Sequence, residues 1–132
     1  MLMHLNMQQI NIARLKQALA SEKSLVFAYL FGSFATGENT PLSDIDIAVY
    51  PAHNPALDER LGIIQRLSKE LRLDRLDITF LNRCENLYLL EAILDHGILL
   101  LDRDPDLREY FEVMTHHKFL DFQFQRKLYM GD

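Results

Sequence analysis

The stretch from Leu25 to Tyr50 limits what this chain can become more than any other part of it. It runs Leu-Val-Phe-Ala-Tyr-Leu-Phe, turns at Gly32-Ser33, passes through ten mostly small or polar residues and resumes as Asp44-Ile45-Asp46-Ile47-Ala48-Val49-Tyr50. The first run is continuously apolar and of strand length, which reads as a buried strand. In the second, strand alternation puts Asp44 and Asp46 on one face and Ile45, Ile47 and Val49 on the other, so the carboxylates face out and the apolar set faces in. Two carboxylates side by side repel each other unless a cation lies between them, and hard oxygen donors of this type suit Mg²⁺. Gly32 permits a tight turn and close approach of backbone to ligand, and Ser33 is placed to cap the helix expected there. Free N–H groups at such a turn attract phosphate oxygens. Together the two halves are expected to hold a nucleoside triphosphate, with phosphates at Gly32 and Ser33 and magnesium at Asp44 and Asp46.

The remaining segments supply the scaffold. Ile12, Leu15 and Leu19 recur at helical spacing, which predicts an amphipathic helix from Gln8 to Ala20. Gly37, Asn39 and Pro41 punctuate a loop between the Gly-Ser turn and Ser43, placed to act as a lid over a triphosphate. Asn54-Pro55 has the cap-then-proline form of a helix start, and Leu57, Leu61, Ile64, Leu67 and Leu71 keep one face of that helix apolar. Leu76–Leu81 reads as a strand with Asp77 and Thr79 on one face. Asn82 and Glu85 have capping-box spacing before a helix that Gly97 ends, and Ile98–Leu101 reads as a short edge strand. Asp104-Pro105 opens a last helix of about residues 105–128, which carries two apolar stripes. Leu107, Phe111 and Met114 form one; Tyr110, Val113, Leu120, Phe124 and Leu128 form the other. A surface that wide exceeds what a small sheet buries, so Tyr110, Leu120 and Phe124 are candidates for partner binding.

Gly32-Ser33, ten residues, then Asp44-x-Asp46 resembles the signature of the DNA polymerase β-like nucleotidyltransferase superfamily. Leu-Phe-Gly-Ser-Phe-Ala-Thr-Gly-Glu followed by Ser-Asp-Ile-Asp-Ile-Ala-Val resembles its minimal nucleotidyltransferase branch, the MntA-type antitoxins. The likeness extends from Leu25 to about Asp102. It implies a third carboxylate on a following strand, and Asp77 fits that place; the nearby Asp74 reads as a solvated turn residue. Members often carry Arg where this chain has Thr36.

The resemblance implies an α/β (α+β) fold similar to the polymerase β palm, a small mixed sheet with helices on one side and a long C-terminal helix. It also implies nucleotidyl transfer with Mg²⁺ as cofactor and Asp44, Asp46 and Asp77 as catalytic, metal-holding residues. The implied role is that of an antitoxin in a HEPN/MNT pair, moving AMP from ATP to a tyrosine of a cognate HEPN ribonuclease toxin within a hetero-oligomer. A nucleotidyltransferase acting on an antibiotic or metabolite, and a non-catalytic module that neutralises a partner by contact, are the alternative readings.

Length and charge agree with this. At 132 residues the expectation is one domain over 1–132, with a core of about 25–102. A net charge of −5 argues against a broad nucleic-acid footprint. The lone Cys84 forms no intrachain disulfide and fits a reducing cytoplasm; it reads as filler in a cap region. His116 and His117 point to different sides of the last helix and are assigned ordinary surface or interface roles. No run spans a bilayer.

Overall fold

The computed structural model describes residues 11–40 and 43–130. Helix α1, Ile12–Ala20, is capped by Asn11, whose side chain accepts from the Arg14 N–H at 3.2 Å. The expected start at Gln8, and Pro41 in the loop, lie outside the described residues. There follow β1 (Leu25–Phe31), the one-turn helix α2 (Ser33–Thr36), β2 (Ile45–Pro51), α3 (Leu57–Leu71), β3 (Leu76–Phe80), α4 (Leu87–His96), β4 (Ile98–Asp102) and α5 (Pro105–Met130).

The strands form one mixed sheet in the order β3-β2-β1-β4. β1 is antiparallel to both its neighbours, whereas β2 and β3 are parallel. Parallel neighbours need a crossover connection, and α3 supplies it. β4 is an edge strand, as its short apolar run predicts.

Helices cover both faces of the sheet rather than one. On the first face Ala28, Leu30, Ile47 and Val49 pack against Leu15 and Leu19 of α1 and Ile63 and Leu67 of α3. On the second, Phe27, Tyr29 and Ala48 meet Leu90 and Ile93 of α4, with Leu107 and Phe111 of α5 beside them. The physical reason lies in β1, which is apolar at every position and has to bury both sides.

Two helix starts differ from the expected ones. α3 begins after Ala56, not at Asn54-Pro55; the Glu59 carboxylate accepts from the Ala56 N–H at 3.0 Å, and Asn54 instead accepts from Arg83. α4 is capped by Asn86, whose side chain accepts from the Leu89 N–H at 3.2 Å, so Asn82 and Glu85 precede the cap. At α4 Asn86 satisfies an orphan N–H of the first turn, while at α3 Glu59 reaches back to the N–H of the cap residue. The apolar face of α3 is also shorter than expected: Leu57 and Leu61 are exposed, and burial begins at Ile63. Gly97 does end α4, but with φ −71 rather than a left-handed turn; a Cβ there would strike the Ile93 carbonyl.

α5 starts as predicted, with Asp104 accepting from the Leu107 N–H at 3.1 Å. Its first half is held by a polar network. The Tyr29 hydroxyl donates to Glu112 at 2.6 Å, and Arg108 bridges Asp102 at 2.9 Å and Glu112 at 3.1 Å. Burial, then the bond to Glu112 and its charge, push the Tyr29 pKa far above the ordinary range, so the hydroxyl stays a donor. Among the described residues no helix is long and apolar enough to cross a membrane.

Arg108→Ala should lower stability by about 2 kcal/mol, because it leaves two mostly buried carboxylates without their cation. Urea denaturation reads this directly; an unchanged midpoint would mean that solvent already screens the network.

Candidate active site

Parallel pairing of β2 with β3 makes Asp46 and Asp77 register partners, and antiparallel pairing of β1 with β2 sets Phe31 opposite Asp46. Side chains at paired positions share a face, so Phe31, Asp46 and Asp77 form one row across three strands. Asp44 lies just before β2, two residues from Asp46, and is exposed. The sheet therefore gathers the acids that the sequence spreads over Asp44–Asp77. Asp74 sits apart from the row, exposed in the turn before β3. Phe31 was not singled out from the sequence, although its place directly before Gly32 is the signal that marks it.

The turn meets the acids from the β1 side. Gly32 has φ 74 and ψ −155, a region open essentially to glycine alone, and it occupies the cap position of α2. A Cβ on it would strike Asp46 Oδ2 and come within 3.2 Å of Asp46 Cγ. Gly32 is thus required twice, by its backbone angles and by the carboxylate beside it. Ser33 is the first residue of α2 rather than its cap, and no side-chain cap bond is formed there. The Ala35 and Thr36 N–H groups bond back to the Gly32 carbonyl at 3.1 and 3.2 Å. Thr36 donates to Glu38 at 3.0 Å, so the position where arginine is frequent presents a hydroxyl turned toward a carboxylate.

Partial burial raises the Asp46 pKa, and the charges of Asp77 and Asp44 and hydrogen bonding with Asp77 raise it further. A cation in reach of Asp46 reverses the balance of charge. Among the described residues no three His, Cys, Asp or Glu side chains are arranged to enclose an ion. Magnesium habitually takes one or two carboxylates and completes its shell with phosphate and water oxygens, a donor set that Asp44 and Asp46 fit.

The other sequence candidates lie elsewhere. A cleft of about 520 Å³ lined by Tyr50, Asn82, Cys84, Tyr110 and Lys118 opens at the far end of β2 from the acids. Tyr110, Leu120 and Phe124 are 64%, 48% and 63% exposed on α5, so none of them belongs to the core. His116 is not merely a surface residue: its Nδ1 lies 2.5 Å from Oε2 of the buried Glu91, tying α5 to α4.

The family model described as Polymerase beta, Nucleotidyltransferase matches residues 13–106. No curated protein matches the chain. Among solved structures, a toxin–antitoxin with AMP-PNP superimposes with a TM-score of 0.76 at 27% identity, over 93% of this chain and 98% of that one. A mutant of the toxin–antitoxin MntA-HpeT gives 0.74 at 30% identity, over 94% and 98%. A complex of tri-AMPylated Shewanella oneidensis HEPN toxin with MNT antitoxin gives 0.70 at 23% identity, over 92% and 98%, and bears on the fold alone.

Two substitutions test the geometry. Gly32→Ala should destabilise the fold by about 1–3 kcal/mol through strain and displace Asp46; an unchanged melting temperature would remove the close approach. Asp46→Asn should raise the melting temperature of the ligand-free protein at neutral pH. Because the folded-state pKa of Asp46 is raised, its ionised form costs stability above that pKa; the gain should fade on acidification, where Asp46 is protonated folded and unfolded alike. A gain equal at all pH values would assign the effect to packing.

Proposed function

The chain belongs to the polymerase β nucleotidyltransferase family, and on that premise we propose that it transfers AMP from ATP to a tyrosine hydroxyl of a HEPN ribonuclease toxin and so neutralises it. The observation that carries the reading is the row in which Asp46 stands beside Asp77, with Gly32 against the Asp46 carboxylate. AMP-PNP with the 27%-identical relative supports an adenine nucleotide as donor, and the toxin–antitoxin nature of that relative supports a toxin as partner.

In this mechanism the Gly32-Ser33 turn holds the β- and γ-phosphates through backbone N–H groups. Asp44 and Asp46, with Asp77 beside them, would hold Mg²⁺, which would supply charge neutralisation at the transferred phosphoryl group. Asp77 accepts the proton of the incoming hydroxyl. The acceptor oxygen forms its bond to the α-phosphorus as the α–β bridging P–O bond breaks, and pyrophosphate leaves with that electron pair. The exposed apolar face of α5 around Tyr110, Leu120 and Phe124 docks the toxin, and the lone cysteine and ATP requirement fit a cytoplasmic setting.

Incubation with labelled ATP, Mg²⁺ and a HEPN partner, followed by intact mass of both proteins, tests the reading. AMP-sized increments should appear on the partner and vanish in the Asp44→Ala, Asp46→Ala double variant. A tight complex without increments would instead establish neutralisation by contact. Leu120→Ser with Phe124→Ser should weaken partner binding at least tenfold while ATP binding stays intact; parallel loss of both would count against a docking face.

A further inference from the structure

The acid row occupies one side of the sheet only. Within β2, Ile47 and Val49 point to the side covered by α1 and α3, whereas Ala48 points to the side of α4 and α5, and Asp46 shares the face of Ala48. On the side away from the acids a cleft of about 790 Å³ opens where the end of α1 meets the second half of α3. Four basic and two acidic side chains line it, an excess of positive charge in a chain whose net charge is −5.

Both acids of the cleft are already engaged. The buried Glu22 accepts from Arg66 at 2.9 and 3.0 Å, and the Glu70 carboxylate accepts from the Ser21 hydroxyl at 3.4 Å. Among the described residues the side chains of Lys23, Lys69 and Arg72 make no ion pair or hydrogen bond, and all three residues are exposed. The neighbouring helix ends do not require them. Arg103 donates to the carbonyls of Ala20, Glu22 and Leu25 at the end of α1, and Arg14 donates to the Glu70 carbonyl at the end of α3. Arg72 also holds φ 56 and ψ 47, a left-handed conformation that glycine adopts at lower cost. The guanidinium is therefore kept at a position whose backbone favours no side chain.

Every residue lining the cleft is either charged or serine, so nothing there stacks on a base or receives an apolar group. Ammonium, guanidinium and hydroxyl donors in one cleft suit phosphate oxygens. We propose that this cleft is a second anion site, separate from the acid row, which binds a short run of phosphates through Lys23, Lys69 and Arg72. Three cations without partners match the closely spaced charges of a polyphosphate, and the phosphates of a nucleotide present the same chemistry as free polyphosphate. The proposal stands whether or not the acid row transfers AMP.

Calorimetric titration of inorganic tripolyphosphate into the protein, at low salt and with EDTA present, tests it, because without metal the acid row repels phosphate. Wild type should bind at one site. Lys69→Gln should weaken binding about tenfold, as removal of one charge-assisted contact does. Arg72→Gly should weaken it as much while the melting temperature holds or rises, since glycine relieves the backbone. Neither Asp44→Ala with Asp46→Ala nor Lys127→Gln on α5 should weaken it. ATP that binds in EDTA as tightly as tripolyphosphate assigns the site to the phosphates of a nucleotide, and weaker ATP assigns it to free polyphosphate; both uphold the proposal. Absence of binding by wild type overturns it. So does loss in the Asp44, Asp46 variant, which would place the phosphates at the acid row, or a loss for Lys127→Gln equal to that for Lys69→Gln, which would reduce the effect to net charge. Tighter binding of an aspartate-rich peptide or an oligouridylate of equal charge overturns it as well, by making the occupant a macromolecule.

Discussion

Holding Asp46 beside Asp77 costs free energy, because carboxylates on adjacent strands lose part of their hydration and repel each other, and the surrounding structure has to keep them there. The parallel ladder does so through backbone bonds that are indifferent to the charges they carry. That ladder is itself clamped, since β2 is wedged between β1 and β3 and both faces of the sheet are covered. Gly32 adds the last constraint: without a side chain it lets the turn close against the Asp46 carboxylate instead of pushing it away. The repulsion that raises the Asp46 pKa is a cost the rest of the sheet has to carry.

The second structural theme is the division of α5. Its first half belongs to the sheet through Phe111, Arg108 and Glu112. Its second half meets little beyond α4, through Glu91–His116 and the packing of Tyr88 on Phe119 and Phe122. Past that point Phe124, Leu128, Tyr129 and Met130 are 63–90% exposed. An isolated helical end gains little from its own hydrogen bonds, so the apolar side chains there are better suited to a partner than to solvent. The acid row and this face draw on different elements, so each can change without disturbing the other.

Much of this was legible in the chain itself because it depended on neighbours in sequence. Strand alternation at Asp44–Tyr50, the turn at Gly32 and the start of α5 at Asp104-Pro105 are local events, set by side-chain direction, by the lack of a Cβ and by a missing N–H. The misreadings also had local causes of a subtler kind. At Asn54 and Asn82 a capping signal was present, but the helices begin at Ala56, whose N–H bonds Glu59, and at Asn86, which caps the Leu89 N–H. At α3 the apolar spacing pointed to Leu57, Leu61, Ile64, Leu67 and Leu71, whereas the buried face is Ile63, Leu67 and Leu71, turned so that Leu57 and Leu61 are exposed.

The sequence by itself determined the strand with its acids and the glycine that must precede them. Each follows from the chemistry of residues a few positions apart. Only the tertiary structure decided that Asp77 is the direct register partner of Asp46, that Phe31 closes the row, that helices occupy both faces and that Glu91 finds His116. These depend on the register of a parallel pair joined through α3 and on which helix face the sheet has room to bury. Such choices are settled by contacts between distant segments, and short-range periodicity carries no record of them.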